Sequence, residues 1–388
     1  MSAVTESTPN TQATTTSAID RARSLRTLIE SEAERTNDIG RIAEPVIEAF
    51  KKTQLFWMNV PAELGGEEIP MRKRFEVYEE VASYDGSTGW SFMTLSGFVG
   101  YSSVGLADSA VQTLYGDKSN RALAAGFAAP GGTAVPVEGG YQLKGKYRFG
   151  SGVLHATYVA VGALVEGQDN VAITAFVPAS EIINRDGWDV YGLRGSGSID
   201  YEVPGSYVPT EYTFSPVNYQ PLRGGTAGRM DFVSTAVTYH TAVALGIAKR
   251  ALREIVKIAD AGKQRPPAAK VLDQQLFLHN FTFNEARLAA ARALMLDNVE
   301  NARIKIESGE GMSDFDRARL RQTANHAHTV ARETVEFAYY WAGTGAIRKG
   351  SALGRCLADI EVAIQHALVD HNNVVEVAPT VIAHYRDA

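Results

Sequence analysis

The sequence predicts a multidomain α+β chain: a helical N-terminal domain, a middle β domain of barrel or sandwich type, and a C-terminal bundle of antiparallel helices. Two observations carry this reading. Apolar residues recur at helical spacing up to about residue 117 and again from about residue 226. Between these stretches, from Gly126 to Val165, apolar and polar residues alternate and glycines interrupt every few positions, as in short strands joined by tight turns. With 388 residues, 45% of them hydrophobic and 21% charged, the chain is long enough for two or three domains and a large core.

The first 17 residues are rich in Ser and Thr and lack an apolar core, which predicts a disordered tail and no signal peptide. From Ala18 to about Lys52, Leu25, Leu28, Ile29, Ile39, Ile42, Val46, Ile47 and Phe50 fall near helical spacing. A loop over Asn59–Gly66 precedes a helix over 74–82. Asp85-Gly86-Ser87 then supplies a break and an N-cap for a helix over 90–103, and Asp108 opens a short helix. Residues 18–117 are therefore the expected helical domain.

The expected β domain spans 118–220. Glu138-Gly139-Gly140-Tyr141 reads as a hairpin turn, because adjacent glycines accept the positive φ that tight turns need. Tyr158–Val165, Val171–Val177 and Ser198–Val203 read as strands, and Val208-Pro209 as a closing loop. The expected bundle spans 221–388. It starts with a long helix carrying Val243, Ile247, Leu252, Ile255 and Ile258 on one face, broken near Gly262 and Pro266-Pro267. Helices over about 268–307, 313–342, 352–370 and 374–385 follow.

Composition excludes several functions. The net charge of −6, with no basic stripe interleaved with aromatics, argues against nucleic acid. The single Cys356 leaves no disulfide and no cysteine cluster for a metal, and no metal site is expected. No apolar run reaches the roughly 18 residues of a membrane span, so no membrane association and a cytoplasmic location are expected. Gly195-Ser196-Gly197 and Gly343-Thr344-Gly345 do not extend to GxGxxG within a βαβ unit. His326 and His328, two apart on a helix, point to different sides.

Four strings in order carry a resemblance. Leu64-Gly65-Gly66, Glu79-Glu80-Val81-Ala82 with Asp85-Gly86-Ser87-Thr88-Gly89-Trp90, the run from Gly139-Gly140-Tyr141 to Ser151-Gly152 and His155-Ala156, and Gly192-Leu193-Arg194-Gly195-Ser196-Gly197-Ser198 resemble the acyl-CoA dehydrogenase-like flavoproteins from about residue 20 to the end. That superfamily has an N-terminal helical domain, a middle β domain and a C-terminal four-helix bundle. The strings are more similar to its two-component flavin monooxygenase branch than to its dehydrogenases. Thr133-Ala134-Val135 replaces the dehydrogenase Gly-Ser-Asp turn, and Ile364-Gln365-His366-Ala367 stands where the dehydrogenases carry their glutamate base.

The resemblance implies an oxygenase component. It would take reduced flavin (FMNH2 or FADH2) from a separate flavin reductase, react with O2 through a C4a-hydroperoxide, and hydroxylate or N/S-oxidise a small aromatic or heteroaromatic substrate. A homotetramer built on the bundle is implied too. Ser151 matches the position whose hydroxyl and N–H approach flavin N5, and His366 is the candidate acid–base group. Phe127, Phe149 and Gly150 would flank the flavin ring, and Arg265 resembles the arginine that reaches the flavin phosphate. Trp90, Phe98 and Tyr101 would line the substrate pocket. The alternatives are an FAD-dependent acyl-CoA dehydrogenase and a non-catalytic paralogue of the fold.

Overall fold

The computed structural model describes residues 16–217, 219–265 and 269–386. The expected tail over 1–17, save its last two residues, and the Pro266-Pro267 break lie outside the described residues. Six helices come first: α1 (Ala18–Ser24), α2 (Arg26–Ile39), α3 (Glu44–Lys52), α4 (Met71–Ala82), α5 (Gly86–Gly105) and α6 (Asp108–Tyr115). Asp85 caps α5 as its sequence suggests, accepting the Thr88 amide at 2.8 Å. Helix α5 is buried on nearly every side, against α4 and the sheet, and is the central post of the molecule.

The strands are β1 (Ala124–Val137), β2 (Gly140–Gly150), β3 (Tyr158–Val165), β4 (Ala172–Pro178), β5 (Ile183–Asp186), β6 (Ile199–Pro209) and β7 (Thr213–Phe214). They form one sheet in the order β5-β6-β2-β1-β3-β4-β7. All pairings are antiparallel except β1 with β3. The β1–β2 hairpin turns at Glu138-Gly139, where Gly139 takes φ +75°. Val208-Pro209, expected to close a loop, instead ends the long strand β6, paired with Tyr141 and Gly140.

The remaining helices are α7 (Phe232–Asp260), α8 (Gln275–Glu307), α9 (Asp314–Ala342), α10 (Ala352–Ala363) and α11 (Asn372–Arg386), with a two-stranded pairing of β8 (Gln264–Arg265) and β9 (Ala269–Lys270) after α7. Ser313 and Asp316 form a capping box at the start of α9. Helix α7 packs along α9, α4 and α10, so it joins the bundle to the N-terminal helices. The helix expected over 352–370 stops at Ala363, and this early end shapes the site.

Candidate active site

Helix α5 carries Trp90 into a buried polar knot. The indole N–H donates to the Ser151 hydroxyl at 3.0 Å. The hydroxyls of Ser151 and Ser198 lie 2.6 Å apart, and those of Ser198 and Ser196 2.7 Å apart. An indole nitrogen only donates, so Ser151 Oγ accepts from it and keeps its own proton for another acceptor. The Ser151 amide, expected to face a ligand, instead turns back onto the Phe149 carbonyl at 2.8 Å. The hydroxyl alone is left for that role.

Phe149 precedes the knot with a backbone φ of +59°, unusual for a residue with a side chain. Its ring is 60% exposed and meets Trp188 edge-on at 6.4 Å. Strained backbone and an exposed aromatic face together mark a place kept for something other than packing. Gly150 lets the strand pass the Tyr201 ring, which a Cβ would approach to 2.8 Å. Phe127 is half-buried against the core.

Ser196 and Ser198 belong to a loop clamped on three sides. The Ser91 hydroxyl and the Gly152 amide both donate to the Ser196 carbonyl, at 3.0 and 3.2 Å. Leu193, at φ +49°, donates its amide to Asp359 Oδ1 at 2.6 Å. A Cβ on Gly192 would sit 1.8 Å from the Ala358 carbonyl oxygen of α10. Gly192→Ala is therefore expected to destabilise the protein by about 1–3 kcal/mol or more, as overpacking against fixed backbone does, read by thermal unfolding. An unchanged Tm would mean the loop is not seated on α10.

Trp90 also meets two imidazoles, His240 at 4.7 Å and His366 at 5.7 Å between ring centroids. The two imidazoles themselves lie 4.1 Å apart, tilted by 31°. Because α10 ends early, His366 opens the single turn Ala367–Val369, and its Nδ1 accepts the Leu368 amide at 3.3 Å. The neutral ring therefore carries its proton on Nε2. Burial, with a contribution from His328, lowers the His366 pKa to about 4. His240 is more deeply buried and is depressed further, by burial first and then by His366 and His328. Its Nδ1 has no partner among the described residues. His328 on α9 is buried, donates from Nδ1 to the Ala324 carbonyl at 2.7 Å, and has its pKa lowered to about 4 by burial.

These histidines fix the acid behaviour of the fold. An unfolded chain takes up their protons near pH 6.5, whereas the native sites at His328 and His366 do so only near pH 4. The unfolded state thus binds more protons between those values, and their contribution to stability falls as pH drops from about 6.5 towards about 4. Replacing His328 by Gln should flatten the Tm profile over that window. A variant profile as steep as the wild type would contradict neutral burial.

Farther along α5, roughly 12 Å from Trp90 for Phe98 and roughly 16 Å for Tyr101 at 1.5 Å per residue, the aromatic lining continues. Phe98 packs on Phe232 at 6.3 Å, and Tyr101 sits among Phe214, Tyr219 and Phe232 at 4.7, 5.0 and 4.8 Å. The Tyr101 hydroxyl is buried without a partner among the described residues. Tyr219 also lines a cavity of about 470 Å³ shared with Arg229, Asp231 and Met312. Arg265 stands apart from the knot, its guanidinium over the rings of Tyr340 and Trp341 at 4.3 and 5.3 Å. Sequence reasoning missed His240, Ser198 and Asp359. His240 gives no motif signal, and only its phase with the apolar stripe of α7 marks it.

Comparison with known proteins decides the family. Indole-3-acetate monooxygenase of Pseudomonas putida is 30% identical over 339 residues, which cover 84% of each chain. The chain belongs to the flavin-dependent monooxygenases. The flavin-dependent monooxygenase oxygenase subunit HsaA of Mycobacterium tuberculosis is 26% identical over 88% of this chain and 89% of its own. The model of the acyl-CoA dehydrogenase C-terminal domain matches residues 238–371 of the enzyme. XiaF from Streptomyces sp., solved with FADH2 and glycerol, superposes with a TM-score of 0.85 at 20% identity, over 93% of this chain and 94% of its own. The enzyme is thus an oxidoreductase of the oxygenase-component branch, using reduced flavin and O2, and the dehydrogenase alternative is disfavoured. Among the described residues no helix is long and apolar enough to cross a membrane.

Proposed function

We propose that the enzyme hydroxylates, or oxidises at nitrogen or sulfur, a small aromatic or heteroaromatic compound, with Ser151 and His366 as its catalytic residues. The observation that supports this reading is the convergence of the Ser151 hydroxyl and a neutral imidazole N–H on the Trp90 ring. Two residues before Ser151 in the chain, the exposed Phe149 ring beside Trp188 offers an aromatic face that suits a flat, reduced ring. Glu376 on α11 is ion-paired with Arg321, away from the role of a dehydrogenase base. Reduced flavin, when bound, activates O2 and supplies the oxygen atom that is transferred.

The chain's own residues do the rest. The Ser151 hydroxyl would hydrogen-bond flavin N5, and Trp90 and Ser198 keep it in place. His366 offers its Nε2 proton to the reacting oxygen, and its depressed pKa keeps the ring neutral. Phe127, Phe149 and Gly150 would flank the flavin ring. Phe98 and Tyr101 line the aromatic substrate, and the unpartnered Tyr101 hydroxyl meets a polar group on it. Arg265 would hold the flavin phosphate of a neighbouring subunit in a homotetramer, and a separate reductase would deliver the reduced flavin.

Rapid mixing tests the reading. The protein, loaded anaerobically with reduced flavin and mixed with O2, should delay flavin oxidation relative to free flavin. With an indole-type aromatic present, isotopically labelled O2 should appear in the product. Oxidation as fast as that of free flavin would overturn the proposal. Reduction of a dye by an acyl-CoA would restore the dehydrogenase alternative.

A further inference from the structure

Two buried carboxyls lie behind the serine loop. Asp85, 5% exposed, caps α5, and its Oδ2 accepts both the amide and the hydroxyl of Thr88 at 2.8 Å. Asp359 on α10, 2% exposed, uses Oδ1 to accept the Leu193 amide at 2.6 Å. Its Oδ2 points at α5, where a Cβ on Gly86 would approach it to 2.5 Å. Among the described residues each carboxyl thus has hydrogen bonds to one oxygen only, and both line a cavity of about 10 Å³, scarcely room for one water.

Arg250 and Arg355 line the same cavity and favour the charged carboxylates, but their own hydrogen bonds and ion pairs go elsewhere. On α7, Arg250 pairs with Glu30 of α2 at 2.6 Å and with Glu254 at 3.0 Å, and donates to the Tyr84 carbonyl at 3.1 Å. Arg355 on α10 donates to the Gly350 carbonyl at 3.0 Å. Burial pushes the Cys356 thiol up to about 12, so it stays neutral, and the Tyr84 hydroxyl donates to Glu80 at 2.7 Å. Among the described residues no ion pair reaches either aspartate. Two unpaired carboxylates in such a space repel and lack solvent, so a single proton between their free oxygens is the low-energy arrangement.

We infer that Asp359 is a positioning residue for catalysis: with Asp85 it holds one proton between two carboxyls, and this clasp fixes the Leu193–Ser198 loop that orients Ser151. The connection is continuous. Asp359 anchors Leu193; the loop then offers the Ser196 carbonyl to Ser91 and Gly152, and the Ser198 hydroxyl to Ser151. The same proton joins α10 to the start of α5, the helix that carries Trp90. Burial, and then the neighbouring Asp85, raise the Asp359 pKa to about 7, so the clasp weakens as pH passes through neutrality.

The sign of the stability effect follows. The native state keeps a proton on Asp359 up to about pH 7, while the unfolded chain releases it near pH 4, so this contribution declines as pH rises across that window and is level above it. The histidines act in the opposite direction, so the readout is the difference between variant and wild type. Asp359→Asn presents an amide that accepts from Leu193 and donates to Asp85, imitating the protonated state. Its Tm advantage over wild type should grow by several degrees from about pH 5 to about pH 8. Asp85→Asn, which keeps the cap, should show the same trend.

A second readout rests on the proposed function. In wild type the fraction of reduced flavin diverted to H2O2 should rise severalfold as pH increases through about 7, and in Asp359→Asn it should stay flat. Asp359→Ala, which loses the Leu193 anchor, should leak H2O2 at every pH. If both asparagine variants keep the wild-type pH dependence of Tm, the shared proton is wrong. The Tm series uses no flavin, so its failure is separable from failure of the monooxygenase mechanism. If the Tm trend holds but the H2O2 profile of Asp359→Asn follows wild type, the clasp does not position Ser151.

Discussion

Ser151→Ala is expected to convert productive turnover into H2O2 release, with the rate of substrate oxidation falling by about 10², the loss typical of one preorganised donor. The hydroxyl is the only group of this residue left for a ligand, because its amide is bound to the Phe149 carbonyl at 2.8 Å. The variant also strands the Trp90 N–H in a buried site, which costs about 1–3 kcal/mol of stability. Trp90→Phe separates the two effects. It keeps the serine proton but removes the indole that directs it, so coupling should fall less than in Ser151→Ala. In the double variant the stability cost of the stranded indole should vanish, a non-additivity that a mutant cycle measures. Additive stability losses would mean that the 3.0 Å contact does not hold the serine in place.

The parts of this arrangement that were legible in the sequence are those set by local chemistry. Asp85 as an N-cap, the Gly139-Gly140 turn and the apolar strand β3 follow from short-range preferences, and the structure has all three. Ser151 stood out because glycines flank it. The helix over 352–370 was misjudged because its apolar spacing continues past Ala363. What stops it is tertiary: Asn325 on α9 donates to the Val369 carbonyl at 2.8 Å, and Asn373 to the Ala367 carbonyl at 2.6 Å, which holds the segment after α10 in a separate turn. His240 was invisible for the opposite reason. It replaces an apolar residue in the buried stripe of α7, and only the packing of α7 against α5 brings it to Trp90. The Asp85–Asp359 pair joins distant parts of the chain, and no local pattern announces it.

The largest loss is expected from His366→Ala: substrate oxidation should fall by about 10²–10⁴, the range for removing a positioned acid–base group, while reduced-flavin binding changes little. The geometry specifies which proton matters. Leu368 donates to Nδ1 at 3.3 Å, so the neutral ring presents an N–H from Nε2. His366→Gln, whose side-chain amide can place an N–H near the same point, should recover part of the lost rate. A carboxylate at this position would not, because it has no proton to give at neutral pH. The pH profile is a sharper test. With its pKa lowered to about 4, His366 stays neutral across the usual assay range, and its protonation should impose no acid limb near pH 6.5. Such a limb in wild type, lost in His366→Gln, would show that the imidazolium forms in that range and that the stacked His240, 4.1 Å away, tolerates a cation beside it. The role would then pass from a standing donor to a base that takes a proton from the substrate. A flat profile together with rescue by Gln supports the donor, because a glutamine amide can donate an N–H but cannot take up a proton as a base does.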